Sequence, residues 1–456
     1  MKRKSLFVTL FSALREHFCG FDFPTENATA KAERRNISAS NVEVYQLAPD
    51  SNQLMQSYVI RTTNGKLIVI DGGGNVDDSV PAYLPSALRA IAGVEAGEYF
   101  EVDAWFISHA HNDHYYELAK MLNAYTATSN YKIKQFYFDI PPFNTDEFPY
   151  SDGEASYLAK LKTGLDNYAS VNNIPVAENS TYYDTVNSSV INPTSVAQGL
   201  SITIDDVRFD VLQTWEKSRG GDANNQGIIL KMYACEQTIL FLQDSKVAAG
   251  NALLNNSADQ LKSDIVQTAH HGQDAVTQDV YKAISAEVNL WPTPRWVWNN
   301  TTSYTIGETR KWLNGTDFST ANKRNIVACL YEKYPSDPTS IDDWNKVKDC
   351  MKIVLPYDWT IEGSETLTVP TFNLESGTYV GEQQITLFTV EANAEIYYTL
   401  DGSFPSTSST KYTEPITIGE NGKLGFFNIR AVVIRGNEHS KVSTQEYFIS
   451  DSSRKT

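Results

Sequence analysis

The segment His109-Ala110-His111-Asn112-Asp113-His114 follows the apolar run Ala104-Trp105-Phe106-Ile107 and places three imidazoles and one carboxylate within six residues. Neutral imidazole and carboxylate suit zinc and other borderline divalent ions, and a turn at the end of a buried strand can direct alternate side chains towards one point. His109 and His111 face the same way, whereas Asp113 and His114 begin the next turn and can reach a second ion. The chain has only seven histidines, so a chance surface cluster is the weaker interpretation.

Three further apolar runs end in residues that can complete a metal site. The first run, 67–70, leads into Asp71 and three glycines, which let the backbone turn tightly. The run 238–242 leads to Asp244, and the run that starts at Ile265 leads to His270, His271 and Gly272. Each strand thus delivers a carboxylate or an imidazole at its C-terminal end.

The order of these motifs, Asp, His-x-His-x-Asp-His, Asp and His over residues 41–365, resembles the metallo-β-lactamase superfamily. The His-His-Gly form of the last motif is most similar to the hydrolase domain of bacterial DNA-uptake competence proteins, as is the run Asn224-Asn225-Gln226-Gly227-Ile228-Ile229-Leu230. It also resembles teichoic-acid phosphorylcholine esterases. The resemblance implies a four-layer αββα sandwich and a hydrolase that uses a metal-bound hydroxide.

The resemblance also implies a ligand set, with one departure. The superfamily usually places another His before the bridging Asp, but this chain has none between His114 and His270. We therefore expect one or two zinc ions, or manganese, with the first ion held more weakly. The first ion would bind His109, His111 and Asp244, completed by water or by Asn224 or Asn225. The second would bind Asp113, His114, Asp244 and one of His270 and His271.

The same comparison suggests roles for individual side chains. His270 is the favoured ligand of the pair, and His271 is then a catalytic or substrate-contacting group. Asp113 would orient the hydroxide. Asp71 either supports the His cluster from outside the ligand shell, like Asn224 and Asn225, or is only a strand-end turn residue.

Net charge limits the choice of substrate. The formal net charge of −17 and the sequence pI near 4.9 argue against a polyanion held along a groove, although the competence-protein resemblance suggests DNA. We expect a phosphoester of the cell envelope, such as a phosphodiester or a phosphorylcholine-like group. The alternatives are a secreted nuclease and a metal-poor, degenerate fold that acts as a binding protein. No apolar run is long enough to predict a transmembrane helix.

The N-terminal 40 residues and the cysteines leave alternatives open. Lys2-Arg3-Lys4 and the apolar run 6–14 are typical of a secretory signal, but Arg15-Glu16-His17 stands where a cleavage site should be. A signal segment or an amphipathic extension therefore occupies residues 1–40. Among the four cysteines, Cys235 is most simply a small core residue, and a Cys329–Cys350 bridge is possible.

Hydrophobic patterns predict alternating strands and helices in residues 41–365. We expect strands at 42–47, 57–62, 66–70, 200–204, 207–212, 227–233 and 238–242, and helices at 84–91, 114–122 and 154–168. Residues 141–196 are rich in aromatic and polar side chains, including Tyr182 and Tyr183, and suggest an insertion near the site. Trp296 and Trp298 either form an aromatic wall for substrate or fill the core against a helix at 306–313.

The sequence pattern of residues 366–456 predicts a separate module. Polar and apolar residues alternate there, with turns about every ten residues, which predicts an immunoglobulin-like β-sandwich. The run from Tyr397 to Pro405 resembles the chitobiase/hexosaminidase C-terminal domain, which implies an extracytoplasmic bacterial enzyme. Tyr397, Tyr398 and Asp401 are a strand and its turn, or a contact for carbohydrate or cell wall.

Overall fold

The computed structural model describes residues 41–47, 54–74, 77–79, 81–141, 148–174, 197–300, 306–313, 324–328, 339–348, 352–357, 364–400 and 405–450. The predictions for the N-terminal 40 residues, the Cys329–Cys350 bridge, Tyr182, Tyr183 and Asp401 lie outside these residues. In the described part of the chain, no helix is long and apolar enough to cross a membrane.

Strands and helices alternate up to residue 357. The strands are β1 (Val42–Gln46), β2 (Tyr58–Arg61), β3 (Leu67–Ile70), β4 (Phe100–Val102), β5 (Ala104–Ile107), β6 (Tyr131–Ile133), β7 (Phe136–Phe138), β8 (Ser201–Ile204), β9 (Val207–Gln213), β10 (Ile229–Ala234), β11 (Gln237–Phe241), β12 (Ile265–Gln267), β13 (Val288–Trp291), β14 (Arg324–Val327) and β15 (Lys352–Leu355). The helices are α1 (Leu84–Ala92), α2 (Asn112–Asn123), α3 (Asp152–Val171), α4 (Val247–Asn256), α5 (Gln278–Ile284), α6 (Arg295–Trp298), α7 (Ile306–Leu313) and α8 (Ile341–Val347).

Of these fifteen strands, β4 and β6 pair with each other, and the other thirteen form two sheets that pack face to face. The first has the order β15-β1-β2-β3-β5-β7, and the second has the order β14-β13-β12-β11-β10-β9-β8. Between them, the Phe106 and Phe209 rings lie 5.0 Å apart, and the Tyr58 and Phe241 rings 5.2 Å. Strands β3 and β5 are buried along their whole length, as their unbroken apolar sequences require.

Helices cover the outer face of each sheet. Residues of α1, α2, α3 and α8 share a core with the first sheet, and residues of α4, α5 and α7 share a core with the second. These layers confirm the predicted αββα architecture. In each sheet the central strands run parallel, β3 with β5 and β11 with β12, so their carboxyl ends are available to build one site.

The C-terminal module is all β, as predicted. Its strands are β16 (Ser364–Leu367), β17 (Thr371–Phe372), β18 (Gly377–Val380), β19 (Gln383–Ile385), β20 (Leu387–Phe388), β21 (Glu395–Thr399), β22 (Thr410–Lys411), β23 (Ile416–Ile418), β24 (Gly425–Arg435), β25 (Glu438–Ser440) and β26 (Ser443–Ser450). Strands β24 and β26 form its longest ladder, and Ile385, Ile429 and Tyr447 lie in its core.

Contacts between described residues join this module to the preceding sandwich. The buried Arg430 of β24 donates from Nη2 to the carbonyl oxygen of Asn325 in β14, at 3.3 Å. The Arg295 guanidinium lies 5.1 Å from the centroid of the Phe448 ring. The division at residues 365 and 366 stays a prediction, and these contacts indicate that the module shares surface with the hydrolase portion.

Asp139, which follows β7, is a buried carboxyl group with a perturbed pKa. Burial raises the pKa of Asp139 to about 7, and hydrogen bonds from the Thr214 side chain and the Trp215 backbone offset this only in part. The Trp215 N–H donates to Asp139 Oδ2 at 2.9 Å. The folded protein thus keeps this proton over a range where the unfolded chain has released it.

We expect Asp139→Asn to stabilise the metal-free protein at pH 8, by roughly 1 to 3 kcal/mol, and much less at pH 5. The folded pKa lies above the unfolded value, so the free energy of unfolding falls as pH rises from about 4 to about 7. Asparagine can still accept from Trp215 but cannot ionise. Urea unfolding of both proteins with chelator at the two pH values measures the difference. Asp166→Asn, at a partly exposed carboxylate on α3, controls for the lost charge, and an equal effect at both pH values would contradict this account.

Candidate metal centre

The turn between β5 and α2 places its three histidines and Asp113 close together. His109 and His114 are fully buried, Asp113 is nearly so, and His111 is partly exposed. The His109 ring lies 4.1 Å from the His114 ring and 4.9 Å from the His111 ring, centroid to centroid. The cluster expected from the hexapeptide is therefore formed.

Asp71 orients His114. His114 Nδ1 donates to Asp71 Oδ2 at 2.7 Å, and Ser108 donates to the same carboxylate from its backbone N and its hydroxyl group. Because a carboxylate only accepts, Nδ1 carries a proton, and Nε2 is the ring nitrogen that would bind an ion. Close approach of α2 depends on glycine, since a Cβ at Gly74 would lie 2.6 Å from the Asp113 Cα atom.

Asp244 lies between two groups of possible ligands. Its Oδ2 is 3.1 Å from His114 Nε2, 3.5 Å from His271 Nε2 and 4.0 Å from His109 Nε2. One group, in which the ligand atoms all lie within 4.8 Å of one another, is Asp113, His114, Asp244 and His271. The other, within the same limit, is His109, His111 and Asp244. Asp244 is common to both.

The unpaired atoms at this site fit a divalent cation. Among the described residues, His109 Nε2 and Asp244 Oδ1 are buried without a hydrogen-bond partner. Buried polar atoms without partners are costly, and native proteins retain few of them. A mixed imidazole and carboxylate set is also one that zinc and similar ions bind. These residues therefore suit a metal centre.

Electrostatics at the cluster favour added positive charge. Burial alone would lower the pKa of His271, but Asp244 and Asp113 raise it to about 10. Burial also opposes protonation of His114, yet the neighbouring carboxylates hold its pKa well above the usual value. For Asp244 and Asp113, burial is outweighed by the histidines, so both pKa values are depressed. Ionised carboxylates here would stabilise a cation as they stabilise imidazolium.

The choice between His270 and His271 requires a correction. The structure brings His271, not His270, into the ligand group: His271 Nε2 lies 3.1 Å from Asp113 Oδ2, and Nδ1 donates to the Pro292 carbonyl oxygen. Both histidines have left-handed backbone conformations, with φ of 49° and 54°, which decide where each side chain points. His270 Nε2 instead lies 3.5 Å from Asn224 Nδ2.

The two asparagines differ in what they can still bind. Asn225 Oδ1 accepts from the Ala249 backbone N–H at 3.0 Å, so Asn225 supports the first turn of α4. Asn224 Oδ1 is buried and has no hydrogen-bond partner. Of the pair, Asn224 is therefore the one with an oxygen atom available beside the cluster.

Of the two interpretations of Trp296 and Trp298, the structure agrees with core filling for Trp298. The two tryptophans lie on the short helix α6, where Trp298 is buried. Its ring lies 5.2 Å from that of Trp291, and the Arg310 guanidinium stacks at 4.1 Å. The alternative, in which Trp298 fills the core beside α7, agrees with the structure. Trp296 is partly exposed.

Glu154 was missed by the sequence interpretation. His111 Nε2 lies 3.0 Å from Glu154 Oε1, so Glu154 holds the orientation of this imidazole. Glu154 is also the third residue of α3 and accepts from the Ser151 backbone N–H in a capping box. The pattern Ser-x-x-Glu is a recognisable helix start, but it carries no sign that the carboxylate contacts a residue 43 positions away.

Two family models match the sequence. The metallo-β-lactamase superfamily model matches residues 56–149, which include the His109–His114 turn, and the chitobiase/β-hexosaminidase C-terminal domain model matches residues 374–444. Together with the αββα layers and the candidate metal ligands, the first match identifies a metallo-β-lactamase-like domain that contains a candidate metal centre. The chain also contains a chitobiase/β-hexosaminidase C-terminal domain.

Individual relatives are more distant. An endoglucanase from Clostridium saccharobutylicum is 29% identical over 191 residues, which are 38% of this chain and 40% of that protein. The metallo-β-lactamase fold protein YhfI from Bacillus subtilis is 11% identical, with 59% of this chain and 92% of YhfI covered and a TM-score of 0.33. CmlA, a diiron β-hydroxylase from Streptomyces venezuelae, is 10% identical, with coverage of 63% and 53% and a TM-score of 0.33.

Proposed function

We propose that this protein is an extracytoplasmic bacterial hydrolase with a two-ion centre that cleaves a phosphodiester or a phosphorylcholine-like ester of the cell envelope. The observation that carries the proposal is the position of Asp244, which is shared between two groups of candidate ligands. We assign one ion to Asp113, His114, Asp244 and His271, and the other to His109, His111 and Asp244. Zinc is the preferred metal, with manganese as the alternative.

The protein side chains prepare this site for hydrolysis. A pair of divalent ions would supply a water nucleophile of lowered pKa and neutralise charge on the attacked oxygen. Asp71 accepts from Nδ1 of His114 and the Pro292 carbonyl accepts from Nδ1 of His271, so in each ring Nε2 is the nitrogen that would bind an ion. His270 Nδ1 is buried without a hydrogen-bond partner, so it is available to bind a polar group of the substrate.

Charge near the cluster supports a small ester over a nucleic acid. Lys246, two residues beyond Asp244, is paired with both Asp222 and Asp274 at 3.1 Å. Arg219 donates from Nε to the Asn225 carbonyl oxygen at 2.8 Å. These cations are already engaged by the protein, whereas binding along a phosphate backbone depends on several free ones.

The C-terminal module and the similarity to an endoglucanase support an extracytoplasmic location. A chitobiase/β-hexosaminidase C-terminal domain and similarity to an endoglucanase both suit a protein that acts near polysaccharide. We propose that the module contacts carbohydrate or cell wall and that the hydrolase domain acts on an ester attached there.

Side-by-side assays test the substrate class. Purified protein with added zinc or manganese would be assayed on bis(p-nitrophenyl) phosphate, p-nitrophenyl phosphorylcholine, single-stranded DNA and a β-lactam. We expect cleavage of one or both phosphoesters, with no cleavage by an Asp244→Ala variant prepared in the same way. Cleavage of DNA alone would support a nuclease instead.

We expect the protein, purified without chelator, to hold between one and two ions, and to lose the ion at His109 and His111 first. That group offers three candidate ligands, whereas the other offers four, and fewer ligands give weaker binding. Elemental analysis along a chelator titration would show two steps. Absence of bound transition metal even after reconstitution would contradict the hydrolase proposal and favour a binding protein.

A further inference from the structure

Three buried glutamines, Gln56, Gln243 and Gln267, form a hydrogen-bonded amide network next to the candidate metal ligands. Gln56 precedes β2 in the first sheet, whereas Gln243 follows β11 and Gln267 ends β12 in the second. All three side chains are fully buried. The amides therefore connect the two sheets at the edge where the ligands meet.

The hydrogen bonds of the amide network run in one direction. The Gln243 backbone N–H donates to Gln267 Oε1 at 2.6 Å, Gln267 Nε2 donates to Gln56 Oε1 at 3.0 Å, and Gln56 Nε2 donates to Asp71 Oδ2 at 3.1 Å. A carboxylate accepts only, so the orientation of the Gln56 amide is fixed by Asp71, and that of Gln267 follows. Asp71 also accepts from His114, so the amide network connects to a candidate ligand at this end.

At its other end, the amide network contains Gln243, the residue that precedes Asp244. Gln243 has a left-handed backbone with φ of 54°, which is unfavourable for a residue other than glycine. Its side-chain Oε1 accepts from Gln56 Nε2, and its carbonyl oxygen lies 3.2 Å from Gln267 Nε2. The Gln56 backbone N–H also donates to the Asp113 carbonyl oxygen at 3.0 Å. Gln56 thus contacts the segments that carry Asp113, His114 and Asp244.

Stability alone does not account for these amides. Gln243 Nε2 is buried and has no hydrogen-bond partner in the described part of the chain, and a partly satisfied polar network costs more than an apolar core of the same shape. Apolar side chains could fill the space between the sheets, but they could not set the orientation of Asp71 or the conformation of Gln243.

We infer that Gln56 and Gln267 are positioning residues that fix His114, from the first sheet, relative to Asp244, from the second. This inference rests on the proposed metal centre. Hydrogen bonds outside the ligand shell orient ligands, and loss of one typically lowers metal affinity by about 10- to 100-fold. The amide network reaches His114 through Asp71 and Asp244 through Gln243, and both belong to the group of four candidate ligands. We therefore expect loss of the network to weaken that group most.

Cobalt titration tests the inference without an activity assay. The full-length protein, freed of metal by chelation, would be titrated with Co²⁺ and followed by visible absorption. We expect Gln56→Met and Gln267→Met to bind the tighter ion about 10- to 100-fold more weakly and to change its absorption spectrum. Tyr168→Phe is the matched control, because it removes buried hydrogen bonds to the Ile133 backbone that have no link to a ligand. It should lower the unfolding temperature and leave Co²⁺ affinity unchanged.

The outcomes separate this inference from the proposed function. Methionine variants that are destabilised like Tyr168→Phe but bind Co²⁺ with wild-type affinity and spectrum would show that the amides are only structural. If the methionine variants do not fold, Gln56→Asn replaces them, since its amide is neutral and polar but one methylene shorter, so it cannot bond to both Gln267 and Asp71. The same loss is expected, and wild-type affinity would overturn the inference. A wild-type protein that binds no Co²⁺ would overturn both proposals, whereas one that binds metal but cleaves no ester leaves this inference intact.

Discussion

Asp244→Ala is expected to lose both bound ions and to lower hydrolysis of a chromogenic phosphoester by about 1000-fold or more. Loss of a hydrogen-bonding partner outside the ligand shell costs about 10- to 100-fold in affinity, and Asp244 is a candidate ligand in both groups. Alanine also leaves His114 Nε2 without its nearest carboxylate, which lies at 3.1 Å. Elemental analysis and initial rates measure the two effects.

Asp264→Ala is the matched control for this substitution. Asp264 precedes β12 in the same sheet, and its Oδ2 accepts from the backbone N–H and the hydroxyl group of Thr238. It lies at the opposite end of the strands from Asp244, so its loss should lower thermal stability and leave metal content unchanged. Wild-type metal content and activity in Asp244→Ala would show that this carboxylate does not bridge two ions.

Local patterns in the sequence were sufficient to predict the architecture. The apolar run 104–107 forms β5, and the predicted helices at 84–91, 114–122 and 154–168 correspond to α1, α2 and α3, with ends that differ by at most three residues. Hydrophobic periodicity depends on which face is buried, and it reports elements better than their ends. The strand-end positions of Asp71, His109 and Asp244 could be predicted for the same reason, because each follows an unbroken apolar run.

The rest of the site depends on contacts between distant residues. The choice of His271 over His270 is made by two consecutive left-handed residues, and neighbouring side chains of the same type give no sequence signal for that. Gln56 bonds to Gln243 and Gln267, which are 187 and 211 residues away, and Glu154 reaches His111 from the start of α3. The aromatic residues around Trp298 suggested a substrate-binding surface, but the position of Trp298 on α6 buries its side chain. Such pairings are set by how the layers pack and have no local pattern.

We expect His271→Ala to weaken metal binding and His270→Ala to leave it unchanged. His271 Nε2 lies 3.1 Å from Asp113 Oδ2 and 3.5 Å from Asp244 Oδ2, so its loss should lower affinity for the tighter ion by roughly 100-fold or more. His270 belongs to neither ligand group, so His270→Ala should retain the wild-type metal content.

Comparison of metal affinity with kinetics then gives each histidine its role. If His270 Nδ1 binds the substrate, His270→Ala should keep both ions but show a raised KM or a lowered kcat on p-nitrophenyl phosphorylcholine, because a hydrogen bond to the substrate is missing. His271→Ala should be inactive at low metal concentration and partly restored by excess zinc, because its defect is in binding the ion. Loss of metal in His270→Ala with full retention in His271→Ala would reverse the assignment and would mean that the turn at residues 270–271 has a different conformation when metal is bound.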